Sequence, residues 1–106
     1  MVVVRGRPGD YRQSHPAHPA LAVEVAESSL AFDRARKGSL YARARVPDYW
    51  IVNLVDGRLE VYRDPEPALS AAFGWRYRSG ARLAPPATVV PLAFTGERIA
   101  VADLLR

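Results

Sequence analysis

A short apolar run with one acidic residue inside it constrains this chain most strongly. Residues 20–26 read Ala-Leu-Ala-Val-Glu-Val-Ala and follow directly after Pro19. A run of this kind is typical of a β-strand that is covered on both faces. Side-chain alternation sends one set to one face (Leu21, Val23, Val25) and the other set to the opposite face (Ala20, Ala22, Glu24, Ala26). An ionised Glu24 there is costly unless a cation, a hydrogen-bond donor or a metal neutralises it, so Glu24 is the first candidate site residue.

Length and composition limit the class of protein. The 106 residues suit one domain. The absence of cysteine excludes disulfides, thiolate metal sites and cysteine nucleophiles. No apolar stretch approaches membrane-spanning length and no signal-peptide pattern opens the chain, so a cytoplasmic protein with no membrane partner is expected. A net charge of +4 and a pI near 10 suit a nucleic-acid partner, although many small basic proteins bind none.

The choice of basic residue is uneven. Of the fifteen basic residues, fourteen are arginine and only Lys37 is lysine. Against this arginine background, Lys37 marks either a position that needs a compact ammonium group or a chance retention. The sequence does not decide between these two interpretations.

The pattern predicts a mixed α/β domain with one main helix. Residues 30–45 form the expected helix, with Ser28 and Ser29 as capping candidates before it and Pro47 after it. A hairpin is predicted from two strands at 49–55 and 58–63, joined by the turn Asp56-Gly57. Tyr49 and Trp50 are expected on opposite faces of the first of these strands. The remaining predicted segments are a strand at 1–5, a loop at 6–19, a connection at 64–72, an edge strand at 75–78, a loop at 84–86, a short strand at 88–92, and a strand or helical turn at 99–105.

The predicted helix carries a polar stripe. Asp33, Lys37 and Tyr41 follow one another at intervals of four residues and share one helix face. One interpretation is a solvated Asp33–Lys37 ion pair. The other follows from the position of the helix directly after the Glu24 strand, which would let Lys37 project toward that carboxylate. A strand carboxylate with a nearby lysine is the core of a metal-dependent phosphodiesterase site.

Four segments together resemble the Uma2 (DUF820) family. They are residues 21–30 (LAVEVAESSL), 33–37 (DRARK), 40–44 (LYARA) and 46–53 (VPDYWIVN). Residues 59–63 and 99–105 fit the C-terminal half of that family. The resemblance covers nearly the whole chain and implies a restriction endonuclease-like domain of the PD-(D/E)XK nuclease superfamily. It implies a mixed β-sheet core with one main helix over residues 1–106.

The resemblance also implies site residues and a function. Glu24 corresponds to the metal-binding carboxylate, and Lys37 to a helical lysine that replaces the superfamily's usual strand lysine. Ala26, at the usual lysine position, agrees with that relocation. Asp33 and Tyr41 match recurrent helix positions with supporting roles. The implied activity is Mg²⁺- or Mn²⁺-dependent hydrolysis of DNA phosphodiester bonds.

The N-terminus departs from the family pattern. The segment 1–6 resembles the strand that follows the family's Pro-Asp pair, whose Asp is the second metal ligand. We therefore expect the chain to cover the C-terminal two thirds of the usual domain, through a misassigned start or a truncated gene. Weak metal binding and little or no nuclease activity are expected of this form. Apolar surface left uncovered would favour a homodimer.

Other candidates have simpler explanations. His15 and His18 lie in a proline-rich loop without a third metal ligand. Ser28 and Ser29 lack a base, so capping accounts for them. Arg76 and Arg78 alternate with aromatic residues, which suits either nucleic-acid contact or an edge strand with arginines turned outward.

Three functions thus remain open on the sequence. The first is the metal-dependent endonuclease. The second is a catalytically inactive nuclease-fold module that still binds DNA. The third is a protein-interaction module with no role on DNA.

Overall fold

The computed structural model describes residues 2–3, 20–28 and 33–105. Within these ranges the chain forms seven strands and two short α-helices, one of them preceded by a π-helical turn. The strands are β1 (Val2–Val3), β2 (Leu21–Ala26), β3 (Asp48–Asn53), β4 (Arg58–Pro67), β5 (Trp75–Leu83), β6 (Thr88–Val89) and β7 (Ile99–Ala100). The helical segments are the π-helical turn Asp33–Lys37, which continues directly as α1 (Gly38–Arg43), and α2 (Val101–Leu104).

A mixed five-stranded sheet forms the centre of the fold. Its order is β1-β2-β3-β4-β5, and β2 pairs with β3 in parallel whereas the other neighbours are antiparallel. The helical segment lies between β2 and β3 along the chain, as a parallel crossover requires. A separate two-stranded sheet pairs β6 with β7. The architecture is the mixed α/β, restriction endonuclease-like core that the sequence predicts.

The two faces of the main sheet carry different residues. One face holds the larger apolar cluster, in which Leu21, Val23 and Trp50 pack with Leu59 and residues of the β6–β7 unit and α2. The other face, under the helical segment, holds Ala22, Ala26, Tyr49 and Ile51. Tyr49 and Trp50 therefore face opposite sides, as predicted.

The strand that carries Glu24 is less covered than predicted. Most of β2 is buried, but the Val25 side chain is 58 % exposed. The expectation of a strand covered on both faces along its whole length is therefore wrong at its C-terminal end. Among the described residues, β1 pairs only with Leu21 and Ala22, so it leaves that end of β2 without an antiparallel neighbour.

The hairpin arm β4–β5 is longer than predicted. The segment 64–72 was expected as a connection, yet β4 continues to Pro67, where it pairs with Trp75. Past Arg63, the last β4 residue that pairs with β3, the strand has β5 on one side only. Prolines are tolerated in such a ribbon because their missing N–H can face the open side. The remaining boundaries agree within a few residues, and residues 99–105 form both a short strand and a helical turn.

The helical segment ends in a left-handed residue. α1 stops at Arg43, two residues before the predicted end, and Arg45 has a φ of 60°. No helix within the described ranges is long and apolar enough to cross a membrane.

Candidate active site

Glu24 lies at the contact between β2 and the helical segment. The Lys37 ammonium donates a hydrogen bond to Glu24 Oε2 at 3.2 Å, and the Tyr41 hydroxyl donates to Oε1 at 2.7 Å. Lys37 and Tyr41 are one helical turn apart, so they reach the same point of the strand. The Glu24 side chain is 18 % exposed, so the carboxylate is neutralised but still open to solvent on one side.

The surroundings keep this carboxyl group ionised. Burial by itself raises the pKa of Glu24, but the hydrogen bonds from Tyr41 and Lys37 and the positive charge of Lys37 outweigh it and lower the pKa below its ordinary value. The group is therefore a carboxylate at neutral pH. It suits charge neutralisation or ligand binding rather than proton donation.

A second carboxylate lies in the same row of the sheet. Glu24 pairs with Ile51 on β3, and Ile51 pairs with Glu60 on β4. Residues opposite one another point to the same face, so Glu60 also faces the helical segment. Two strand spacings separate the two residues, a distance of about 10 Å.

The Glu60 side chain is fully buried, and both of its carboxylate oxygens accept hydrogen bonds. Arg34 Nε donates to Oε1 at 2.8 Å, and Arg34 also donates through its terminal nitrogen to Oε2. Asn53 Nδ2 donates to Oε2 at 2.9 Å, and the Tyr62 hydroxyl donates to Oε1. Burial raises the pKa of Glu60, but these donors outweigh it and lower the pKa. Burial of the Tyr62 ring and its hydrogen bond to Glu60 raise the pKa of Tyr62 to about 12.

Four tyrosines fill the space around the two carboxylates. The Tyr41 and Tyr49 ring centroids are 5.0 Å apart, and Tyr49 lies 6.0 Å from Tyr62 and 5.8 Å from Tyr77. The Tyr77 hydroxyl donates to the Val46 carbonyl at 2.6 Å. The cluster thus connects the Glu24 centre to β5.

A buried aspartate lies on the opposite face of the sheet. Asp48 accepts hydrogen bonds from Trp50 Nε1 at 2.7 Å, Arg63 Nε at 2.9 Å and the Leu92 backbone N–H at 3.0 Å. Alternation along β3 puts Asp48 with Trp50, away from Ile51 and the Glu24 row. Its contacts hold the 90–92 loop to the sheet, which is a structural role.

The structure brings together three of the residues that the sequence singled out. Glu24, Lys37 and Tyr41 are in direct contact, whereas only the backbone of Asp33 is described, in the π-helical turn. Arg76 and Arg78 are exposed on β5, at the edge of the described sheet, and Arg76 lies 3.8 Å from a Glu66 carboxylate oxygen. His15, His18 and Ser29 fall outside the described residues.

The Glu60 network is not evident from the sequence pattern. The segment 58–63 alternates polar and apolar residues, which is the pattern of a strand with one face in water. The available signal was a glutamate in mid-strand, the same signal that drew attention to Glu24. Alternation does not show that a helix bearing Arg34 covers the polar face.

Glu24 is the carboxylate of this centre that is open to a metal ion. Among the described residues there is no group of three or more histidine, aspartate or glutamate side chains that could hold one. Glu24 combines a carboxylate with solvent access and direct contacts to Lys37 and Tyr41. Magnesium commonly binds through one or two carboxylates, with waters and substrate phosphates completing its shell, so Glu24 fits a weak Mg²⁺ or Mn²⁺ site.

Comparison with known proteins identifies the family. Residues 1–99 match the family model of Uma2, whose description is "Putative restriction endonuclease". No curated protein matches the chain in sequence.

Proposed function

Because the chain belongs to the Uma2 family of restriction endonuclease-like proteins, we propose that it is a DNA phosphodiesterase, of low activity in this form, with its centre at Glu24, Lys37 and Tyr41. The observation that carries the proposal is the paired contact of Lys37 and Tyr41 with one ionised, solvent-accessible carboxylate. A nuclease must hold a phosphate next to a positive group and a negative or metal-bound group, and this centre supplies both charges.

Lys37 is the residue that contacts the phosphate. A lysine ammonium has three donors, so Lys37 can keep its bond to Glu24 while donating to a phosphate oxygen. As negative charge grows on the phosphoryl oxygens during attack by water, a fixed ammonium stabilises that charge. Its side chain is 37 % exposed, which leaves it accessible to a bound DNA strand.

Glu24 is the residue that would hold the divalent ion. When bound, Mg²⁺ or Mn²⁺ would act as a Lewis acid and activate water. Because no group of three or more possible ligand side chains surrounds Glu24 among the described residues, we propose that this binding is weak. Tyr41 is a positioning residue, since its hydrogen bond fixes the carboxylate orientation.

The DNA contact extends from this centre through arginines. Arg76 and Arg78 on β5 are exposed and are proposed to contact phosphates, in keeping with the net charge of +4. Asp33 is proposed as a supporting residue of the helical segment.

The first prediction concerns the proposed centre. Glu24→Gln keeps the size of the side chain, but it removes the charge and replaces one of the two acceptor oxygens by an NH2 donor. We expect it to abolish the slow nicking of supercoiled plasmid with Mn²⁺. Lys37→Ala should lower the rate by about 10²- to 10³-fold, the usual effect of losing one transition-state donor. Tyr41→Phe should lower the cleavage rate by about tenfold or less, because the change removes only the hydrogen bond that orients the Glu24 carboxylate.

Glu97→Gln is the matched control, because it makes the same chemical change on an exposed loop. Cleavage that persists unchanged in Glu24→Gln would contradict the proposal. DNA binding without any cleavage by the parent protein would instead favour an inactive DNA-binding module. Absence of both would favour a protein-interaction module.

A further inference from the structure

A cleft opens beside the candidate centre, between the helical segment and β5. Its volume is about 330 Å³. Four aromatic side chains and two arginines are prominent in its lining: Tyr49, Tyr62, Trp75, Tyr77, Arg34 and Arg76. The volume lies at the lower end of the range for small-molecule sites, which suits one planar ring system.

The aromatic walls are held in place. The Tyr77 hydroxyl is bonded to the Val46 carbonyl, and the Tyr62 hydroxyl is bonded to the buried Glu60. The Tyr62 and Tyr77 ring centroids are 6.4 Å apart. Rings anchored at their polar ends lose little conformational freedom when a ligand stacks on them, so this surface is preorganised for a flat aromatic ligand.

An interruption of the side-chain alternation along β5 brings Tyr77 into the aromatic lining of the cleft. A Cβ placed on Gly80 would lie 3.0 Å from the Tyr62 ring, so Gly80 faces the tyrosine cluster. Tyr77 packs on the same cluster although it is three residues away, where a regular strand would present the opposite face. The side chains of the β4–β5 hairpin arm therefore switch from one face of the ribbon to the other at this point. The switch lies next to Asp64, which has a φ of 61°.

Three arginines beside the cleft form what we call the arginine rim: two stack on Phe73, which follows the cleft residue Ala72, and one stacks on the cleft residue Trp75. Arg36 and Arg43 lie on the Phe73 ring with guanidinium carbons 5.5 and 5.3 Å from its centroid, and Arg45 lies 5.5 Å from the centroid of Trp75. These three arginine side chains are exposed. Stacking on an aromatic ring orients a guanidinium group, whose charge and planar fork of donors suit phosphate oxygens.

The cleft and the Glu24 centre are linked through packed side chains, of which Tyr49 is fully buried. Tyr49 lines the cleft and packs on Tyr41, whose hydroxyl contacts Glu24. Arg34 at the cleft and Lys37 at the centre belong to the same π-helical turn. Arg34, which lines the cleft, is bonded to Glu60, and Glu60 lies about 10 Å from Glu24 in the same row of the sheet. A DNA strand with one base in the cleft would therefore present a nearby phosphate to Lys37.

We propose that this cleft binds one unpaired nucleobase of the DNA, and that the arginine rim binds the phosphates on either side of it. The inference rests on the proposed function and assigns it a substrate class, DNA with a single-stranded or extrahelical nucleotide. The cleft volume of about 330 Å³ suits one planar ring system, so the base is proposed to enter unpaired. Stacking on aromatic side chains recognises the π-face of any base, so we expect little sequence preference.

The experiment measures base insertion separately from cleavage. The probe is a 12-nucleotide single strand with 2-aminopurine at its centre, whose fluorescence falls when the base stacks on an aromatic ring. Ala35→Leu and Ala72→Leu each add bulk to the cleft lining without removing a described contact. Ala102→Leu makes the same change on α2, which packs on the opposite face of the sheet.

We expect the parent protein and Ala102→Leu to quench the probe and to bind it more tightly than the fully paired duplex. The two cleft variants should bind the single strand at least fivefold more weakly and lose the quenching, since one base stack contributes about that much or more. Their binding to duplex DNA should change less than twofold, and thermal melting should verify that both variants fold.

The outcomes separate this inference from the proposed function. Equal binding and quenching in the cleft variants and in the parent, or no quenching by the parent, overturns the nucleobase site. Cleavage that still depends on Glu24 would then leave the proposed nuclease intact. Conversely, quenching that the cleft variants abolish, with no cleavage by the parent, supports the base site and contradicts the nuclease.

Discussion

At the scale of single residues, the contact between Arg34 and Glu60 anchors the helical segment to the sheet. Glu60 has no solvent exposure, whereas the Arg34 side chain is 33 % exposed. Removing one partner of a buried pair leaves an uncompensated charge, which costs more than the pair itself contributes. The exposed pair between Arg76 and Glu66, at 3.8 Å, is the natural contrast.

We therefore predict different effects for two arginine-to-alanine changes. Arg34→Ala should lower the free energy of unfolding by about 3 kcal/mol, because Glu60 keeps only Tyr62 and Asn53 as donors. Arg76→Ala should change it by less than about 0.5 kcal/mol. Urea titration followed by circular dichroism measures both. Equal losses in the two variants would mean that the buried pair does not anchor the helical segment.

At the scale of elements, the β3–β4 hairpin depends on its turn. The Asn53 side chain accepts a hydrogen bond from the Asp56 N–H at 3.0 Å and donates to Glu60 at 2.9 Å. Gly57 has a φ of 66°, a conformation that glycine adopts without a steric cost. The turn therefore sets the register that places Glu60 opposite Ile51, and through it in the row of Glu24.

The turn gives a prediction with an internal control. Gly57→Ala should destabilise the protein by about 1 kcal/mol, because alanine disfavours the left-handed region although no atom would meet its Cβ. Gly96→Ala also meets open space, and its backbone lies outside the left-handed region. We expect it to be neutral or slightly stabilising. Thermal melting of both variants checks this, and an equal decrease in the two would contradict the role of the turn.

At the scale of the whole molecule, the sheet separates two environments. One face carries the apolar cluster around Trp50 and Leu59, and the other carries two ionised glutamates among tyrosines and basic side chains. Apolar side chains at the end of β2 and in the β3–β4 turn stay exposed, Val25 at 58 % and Val55 at 55 %. Homodimerisation stays a prediction, which the molecular mass in solution would test.

The two glutamates make the stability of the molecule sensitive to acid. Both pKa values are lower in the folded state than the ordinary value of 4.5. Their contribution to stability is therefore complete above pH 4.5 and is lost as the pH falls through the lower, folded-state values. We expect the melting temperature to fall below pH 4.5, and to fall less steeply in Glu24→Gln, which has one of these groups fewer. Parallel curves for the two proteins would contradict a lowered pKa at Glu24.

Much of the site could be predicted from the sequence because its signals are local. Glu24 stands inside an apolar run, Lys37 and Tyr41 share a helix face, and Asp56-Gly57 marks a turn. Each of these signals can be recognised from a few neighbouring residues of the sequence. In the structure, Lys37 and Tyr41 both donate hydrogen bonds to Glu24.

The remaining features depend on residues that are far apart in sequence. Alternation defines the two faces of a strand but not what covers each face, so Glu60 looked solvent-facing until Arg34, 26 positions earlier, closed over it. The cleft lined by Trp75 and Tyr77 likewise arises only when β4, β5 and the helical segment pack together. The same is true of the switch in side-chain direction beside Asp64. The sequence by itself thus predicted most of the elements and singled out Glu24, Lys37 and Tyr41. The tertiary structure decided the buried charge network and the cleft, because burial is a property of the packed chain and not of its local pattern.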